Sequence, residues 1–321
     1  MRLHIIFDAY YMYYRYKYLI EAGKMRQLST RLSEDKLENY NKFRAEYGLD
    51  PVAEDMDTTY IYYPIKAIES ELRKYDADEI DLTVSICFDA KSRRKDDNST
   101  YKSNRTGKLN TLDMFNINLI YAVFGQLYNV YREEGVEADD LIYTLSHKFT
   151  DYDKVIIYSP DADILVNLSD NISVMRYKTS LKSHVLFTPS NFEELMSKEY
   201  KCKMPYNCIV LYKALCGDKS DVIAGIKGFG PKAFDRLITK LEHDEVDFNT
   251  LTNWRNVESI IKEYKEDIAG KSEDKIDQAL DSLSMVRPIE GLELSEPIEI
   301  DRKALLQRKR EIYSDFLGFK L

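Results

Sequence analysis

The chain reads as an α/β protein with a largely parallel central sheet and helices on both faces. Three observations predict it. Short β-rich apolar runs recur at His4–Phe7, Leu82–Phe88 and Val155–Tyr158. Segments with helical spacing of apolar residues separate them. Each run delivers aspartate just past its end: Asp8 and Asp89 at once, and Asp161 with Asp163 after Ser159. In open α/β sheets the C-terminal edge of the strands is where ligands bind, so the pattern places acids at that edge.

The first run leads into a Tyr-rich stretch, Tyr10 to Tyr18, read as the core and surface of a first helix rather than a stacking platform. Arg15 is the exception there, since it could reach a phosphate. Residues 21–58 are charged and weakly periodic, and Leu28, Leu32, Leu37, Phe43 and Tyr47 suggest a helical insertion. Ile65, Ile68 and Leu72 share one helical face between Pro64 and Tyr75. A second stripe runs from Leu112 to Leu127, and a third from Glu137 to Phe149. Residues 207–240 read as helix, turn, helix. The remainder alternates charged helical stretches with a strand-like run near Leu292–Ile300. A first domain over 1–200 and a second over 201–321 follow from this layout.

Composition sets limits. At 44% hydrophobic and 31% charged residues, the chain has material for a sizeable core. No apolar run approaches the ~20 residues of a membrane span, and the first 20 residues lack a signal-peptide layout. The expectation is a cytoplasmic protein without a membrane partner. The four cysteines, Cys87, Cys202, Cys208 and Cys216, are too few for a disulfide scaffold and read as free thiols. His4, His147, His184 and His243 are scattered and receive no catalytic role. The net charge of −9 is unevenly distributed: Lys91 to Lys108 carries seven basic residues against two acidic ones. A sorted distribution suits local phosphate binding.

Three constellations carry chemistry. The first is acidic. Glu137, Asp139 and Asp140 open a predicted helix, where acids complement the dipole. Together with Asp8, Asp89, Asp161 and Asp163 they concentrate negative charge at one sheet edge. Oxygen ligands without His or Cys suit Mg²⁺, with Mn²⁺ as substitute. Two such ions ~4 Å apart stabilise both attacking and leaving oxygens in phosphodiester cleavage. The second constellation is basic. Arg93 and Arg94, then Tyr101, Lys102 and Arg105, should hang over the acids, with cations on the scissile phosphate and Tyr101 stacked on a base. The third is Gly217 to Lys232. Asp218 and Asp221 precede a turn with Gly225, Gly228 and Gly230, flanked by Lys227 and Lys232. Glycines let backbone amides approach phosphate, and Pro231 suits a helix start. Between two helices, this reads as a hairpin that grips duplex backbone without reading sequence.

In this order the motifs resemble the flap endonuclease or 5′-3′ exonuclease family, especially stand-alone phage enzymes often called RNase H. They are Ile-Ile-Phe-Asp at 5–8 with Arg15, Cys-Phe-Asp at 87–89 and Tyr-Lys-Ser-Asn-Arg at 101–105. Val-Glu-Ala-Asp-Asp at 136–140, Ser-Pro-Asp-Ala-Asp at 159–163 and Gly-Asp-Lys-Ser-Asp through Gly-Pro-Lys at 217–232 follow. The resemblance implies a PIN-like nuclease domain, a helical arch over the site (91–111) and a helix-hairpin-helix subdomain. It implies one ion at Asp89, Glu137 and Asp139 and another at Asp139, Asp161 and Asp163, with Asp139 and Asp161 central to catalysis. Asp8, Asp140, Asp218 and Asp221 would act directly or through water. Lys102 and Arg105 would be the arch's catalytic phosphate clamps, and a K⁺ ion would sit at the hairpin. The implied substrates are DNA with a 5′ flap or an RNA primer on DNA. A single-strand-binding protein or sliding clamp is the implied partner, and the chain would be a monomer. Rival readings are an inert junction-DNA-binding protein and a PIN-type single-strand ribonuclease. The chain departs from the family pattern in its long Asp8–Asp89 segment and in the short stretch from Asp89 to Tyr101.

Overall fold

The computed structural model describes residues 1–75, 79–94, 109–149, 151–178, 182–270, 272–289 and 291–315. In chain order the elements are β1 (Arg2–Asp8), α1 (Ala9–Glu21), β2 (Ser29–Arg31), α2 (Glu34–Glu46), β3 (Asp55–Asp57), α3 (Thr59–Leu72) and β4 (Asp81–Cys87). Then come α4 (Thr111–Phe124), β5 (Asn129–Tyr131), α5 (Ala138–Lys148), β6 (Lys154–Tyr158), β7 (Ile172–Lys178) and β8 (Ser183–Phe187). The chain continues with α6 (Pro189–Tyr200), α7 (Ile209–Cys216), α8 (Pro231–His243), α9 (Trp254–Glu263), α10 (Lys265–Ala269), α11 (Glu273–Val286) and α12 (Arg302–Asp315).

The main sheet has strand order β5-β4-β1-β6-β7-β8. All its pairings are parallel except the last, β7 with β8. Parallel strands buried on both faces need continuous apolar sequence, which Ile5, Ile6, Val84, Ile86, Ile156 and Ile157 supply. Side chains alternate across the sheet. Ile5, Phe7, Val84, Ile86 and Ile156 pack on one side with Met12, Ile65, Phe115 and Phe124 of α1, α3 and α4. Ile6, Cys87, Val155, Ile157 and Val174 pack on the other with Leu141 and Leu145 of α5. That second cluster runs without a break across residue 200, through Leu211 and Leu215 of α7, to Phe234, Val257 and Leu283.

The insertion at 21–58 differs from the helical expectation. Besides α2 it contains an antiparallel ribbon, β2 with β3. Leu32, Phe43 and Tyr47 do pack inward, with Phe43 and Tyr47 ringing Phe115. The Leu292–Ile300 run is an extended strap rather than a named strand. Thr83 and Glu299 form an antiparallel bridge, and Ile300 donates to the Leu82 carbonyl at 2.8 Å. The cysteines are free, as expected. Among the described residues, no helix is long and apolar enough to cross a membrane.

Candidate metal-dependent nuclease site

The ends of β1, β4 and β6 and the start of α5 open on a cleft of about 1230 Å³. Its lining includes Asp8, Asp89, Glu137, Asp139 and Asp161 together with Tyr14, Arg15, Lys17 and Tyr18 of α1. Local structure fixes the acids. Asp8 caps α1 by accepting from the Tyr11 N–H at 3.1 Å, and its other oxygen accepts from the Ser159 hydroxyl at 3.0 Å. Asp89 accepts from the Ala138 N–H at 2.7 Å, tying the end of β4 to the first turn of α5. Asp161 accepts from the Asp163 N–H at 3.0 Å, and its own N–H donates to Ser159 at 3.3 Å. The buried Ser159 thus orients two acids, a role its sequence position does not announce.

A second recess of about 60 Å³ adjoins the cleft and shares Glu137 and Asp139 with it; Asp140, Asp163, Asp221, Arg94 and Lys213 also line it. Here the chain supplies its own cations. Arg94 forms a bidentate pair with Asp140, both contacts at 2.7 Å, and reaches Glu137 at 2.9 Å. Asp140 further accepts from the Ile289 N–H at 2.9 Å. Lys213 bridges Asp163 and Asp218, the latter at 2.8 Å. These contacts revise two expectations. Arg94 is committed to carboxylates, not presented to nucleic acid, and Asp140 spends its oxygens on Arg94 and Ile289. Lys213 was missed: it lies five residues before Asp218 on α7, and nothing in that spacing signals a buried ammonium.

The electrostatics follow. Burial, then Asp89, push Asp8 up to about 7, against Tyr11 and Ser159 hydrogen bonds that pull it down; Asp161 adds to the rise. Asp163 and Asp218 hold Lys213 protonated against its burial. Lys213 in turn outweighs the burial of Asp218 and brings that carboxyl down to about 2. His4 is wholly buried in the sheet, its Nε2 2.8 Å from Ser85 Oγ, and burial lowers it to about 3.

No three of the described carboxylates already converge on one ion position. The donor set itself fits a divalent cation. It is all oxygen, it lines the cleft and the adjoining recess, and burial together with the neighbouring Asp89 and Asp161 raises Asp8. Asp8, Asp89, Glu137, Asp139 and Asp161 would hold such ions on the cleft side, with Asp163 and Asp221 on the recess side.

The hairpin sorts its glycines. Gly225 has φ +61, is buried, and donates its N–H to Ser282 Oγ at 3.1 Å. A Cβ there would meet Gly217 N at 2.3 Å. Gly225 therefore serves close backbone packing, not a phosphate cradle. Gly228 has φ +86 and open space around it, so it keeps the turn's outer position. Gly230 has φ −134, which any residue adopts, and it caps α8 ahead of Pro231. Lys227 and Lys232 are exposed beside them. Arg93 lies across Gly135 and its N–H donates to the Gly135 carbonyl at 3.0 Å. Tyr101, Lys102, Arg105 and most of the expected arch fall outside the described residues. The base of that segment is visible: Asn110 and Asp113 form a capping box on α4, and Asp113 also accepts from Lys17 and from the Tyr13 hydroxyl.

A mostly parallel α/β sheet that delivers acids from three strand ends and a helix start into one cleft defines a class of metal-dependent phosphodiesterase folds. The comparisons narrow the class. The profile described as the 5′-3′ exonuclease, N-terminal resolvase-like domain matches residues 4–197. The chain belongs to the 5′-3′ exonuclease family. It is 29% identical to a 5′-3′ exonuclease of Bacillus subtilis (strain 168) over 238 residues, covering 73% of each chain. It is 32% identical over 170 residues to a 5′-3′ exonuclease of Mycoplasma genitalium, covering 50% of this chain and 56% of that one. It is 30% identical over 237 residues to DNA polymerase I of Caldicellulosiruptor bescii, covering 71% of this chain and 26% of the polymerase. The match thus spans about half of one relative and a quarter of the other. Among solved structures, T5 5′-exonuclease with bound zinc aligns over 89% of this chain and 100% of that one, with 17% identity and a TM-score of 0.48.

Proposed function

We propose that this protein is a divalent-cation-dependent 5′ nuclease that hydrolyses phosphodiesters near a 5′ end or flap junction, on flapped DNA or on RNA primers paired with DNA. The carrying observation is the cleft that joins Asp8, Asp89, Glu137, Asp139 and Asp161 beside Arg15 and Lys17. Family membership and relatives named as 5′-3′ exonucleases support it. Two divalent cations, Mg²⁺ by preference, would supply water activation and stabilisation of the attacking and leaving oxygens. The chain's own residues hold the carboxylates in place: the Ala138 N–H orients Asp89, and Ser159 orients Asp8. Lys227, Gly228 and Lys232 would hold the duplex backbone downstream, and Arg15 a phosphate of the cleaved strand.

The test is cleavage of a 5′-labelled flap duplex against the matched single strand, with Mg²⁺ and with EDTA. Metal-dependent cutting near the junction is expected, with the single strand largely spared. Asp161→Asn should abolish cutting and retain binding. Equal cutting of both substrates would favour a single-strand ribonuclease. Tight binding without cutting, even in excess Mn²⁺, would favour an inert junction-binding protein.

A further inference from the structure

His184 receives no role from the sequence, yet it touches Tyr11, Arg15 and Tyr177, which line the cleft. It lies on β8, directly opposite Tyr177 of β7 in the antiparallel register, and the two rings meet edge to face at 5.4 Å. The hairpin carries this pair onto α1. There Arg15 Nη1 lies 2.8 Å from His184 Nε2 and 3.1 Å from the Tyr11 hydroxyl, while the guanidinium carbon sits 5.5 Å from the Tyr177 ring centroid. Arg15 and Tyr177 both line the cleft with Asp161. We propose that His184 is a positioning residue, which with Tyr177 holds Arg15 in one orientation to receive a phosphate of the strand entering the cleft.

The chemistry fixes the roles. A guanidinium has five donors and no acceptor, so His184 Nε2 must accept, and its proton sits on Nδ1. An imidazolium would set donor against donor and charge against charge. Burial and Arg15 both lower the His184 pKa, which keeps the accepting form in place at neutral pH. Glu71, which raises it, and Lys74, which lowers it, complete the surrounding charges. Among the described residues the contacts to Tyr11 and His184 both fall on Nη1, and Nη2 and Nε remain as donors for a phosphate. A long side chain held on three sides forfeits less freedom when it binds, so its phosphate contact is stronger than that of a free surface arginine. The inference rests on the nuclease reading for its ligand, but the contact itself does not.

The experiment has two arms. In the free protein, NMR titration of His184 in Arg15→Ala should show its pKa rising toward the ordinary value, because one of the causes that lowers it is gone. In the second arm, binding of a 5′-flap duplex is measured in EDTA for wild type, Arg15→Ala, His184→Ala, His184→Gln and the double alanine variant. His184→Ala should weaken binding about fivefold, the worth of one hydrogen bond. It should leave the salt dependence unchanged, whereas Arg15→Ala reduces the slope by about one phosphate contact. In the Arg15→Ala background the His184 change should add nothing, and His184→Gln, whose amide oxygen also accepts, should restore most of the loss. Additive losses in the double variant, or an unmoved His184 titration, would overturn the proposal alone. Wild-type protein that neither binds nor cuts the flap duplex would overturn the nuclease reading, and the phosphate role with it.

Discussion

Replacing Arg94 by alanine should destabilise the fold by more than the loss of one hydrogen bond. The Arg94 side chain is 14% exposed, and its partners include Asp140 at 2% exposure, Glu137 at 11%, and the Arg287 carbonyl at 2.8 Å. Alanine leaves the Asp140 carboxylate buried with the Ile289 N–H but without its guanidinium. Removing one partner of a buried pair costs about 3–5 kcal/mol, because the surviving charge has lost its solvation and its counter-charge together. For a chain of this size each kcal/mol is worth about 2–4 °C, so a fall in Tm of about 10 °C is expected. Arg94→Lys should fall between, since an ammonium keeps the charge and loses the bidentate fork. The diagnostic variant is Arg94→Ala with Asp140→Asn, which removes the stranded charge and should recover more than half of the loss. Urea denaturation with unchanged m-values would read this cleanly. An Arg94→Ala protein melting within 2 °C of wild type, or a double variant no better than the single one, would refute the argument that this pair is both buried and mutually compensating.

Three other outcomes are expected. Asp8 is raised from 3.8 to about 7, so between those values the folded, cation-free protein binds a proton that the unfolded chain has released. Stability must then fall as pH rises through that window, and calorimetry of Asp8→Asn in EDTA should show a flatter profile. At the hairpin, Gly228→Ala forces a side chain into φ +86 and should lower flap-duplex affinity several-fold by anisotropy, while Gly230→Ala, at φ −134, should stay near wild type. Asn129 exchanges hydrogen bonds of 3.0 and 2.8 Å with Ile298 and also donates to the Val84 carbonyl at 2.9 Å. Asn129→Ala should therefore cost about 1–3 kcal/mol in urea denaturation and expose the 292–300 strap to protease.

The elements legible in the sequence are those whose signal is local. β1, β4 and β6 are apolar runs with aspartate at or just past their ends, and α3, α4 and α5 carry continuous stripes. Their packing onto both faces of one sheet followed. β5 spans three residues, too few for a period to show. β2 and β3 read Ser-Thr-Arg and Asp-Met-Asp, where Met56 alone is buried, so no alternation marks them. β7 and β8 went unread because their outer halves are half-exposed and polar. In the site, the acids were legible as residue types at strand ends. Their partners were not, because Arg94 and Asp140 lie 46 positions apart, and Lys213 and Asp163 lie 50 apart. Three glycines at 225, 228 and 230 look alike as letters. Backbone torsion sets Gly230 apart, and the space around each Cα separates the packing Gly225 from the turn glycine Gly228.

The acids also divide by the kind of partner the chain gives them. On the recess side, Asp140, Asp163 and Asp218 face a guanidinium or an ammonium. On the cleft side, Asp8 is met by an amide N–H and a hydroxyl, and Asp161 by an amide N–H. Dipoles of that kind orient a carboxylate without cancelling its charge, and at Asp8 they do not offset burial and the neighbouring acids. Where the fold supplies a cation it offsets the charge unevenly: Lys213 brings Asp218 down to about 2, whereas burial and the neighbouring acids keep Asp163 raised at about 6. At Asp8 and Asp161 the oxygens are aimed by dipoles and left in need of positive charge, which is the condition for binding a hard divalent cation. This contrast puts the least compensated of these acids, Asp8, in the cleft that Arg15 and Lys17 also line. It also predicts that a divalent cation will stabilise the folded protein most above about pH 7, where Asp8 has lost its proton, and that Asp8→Asn will remove part of that gain.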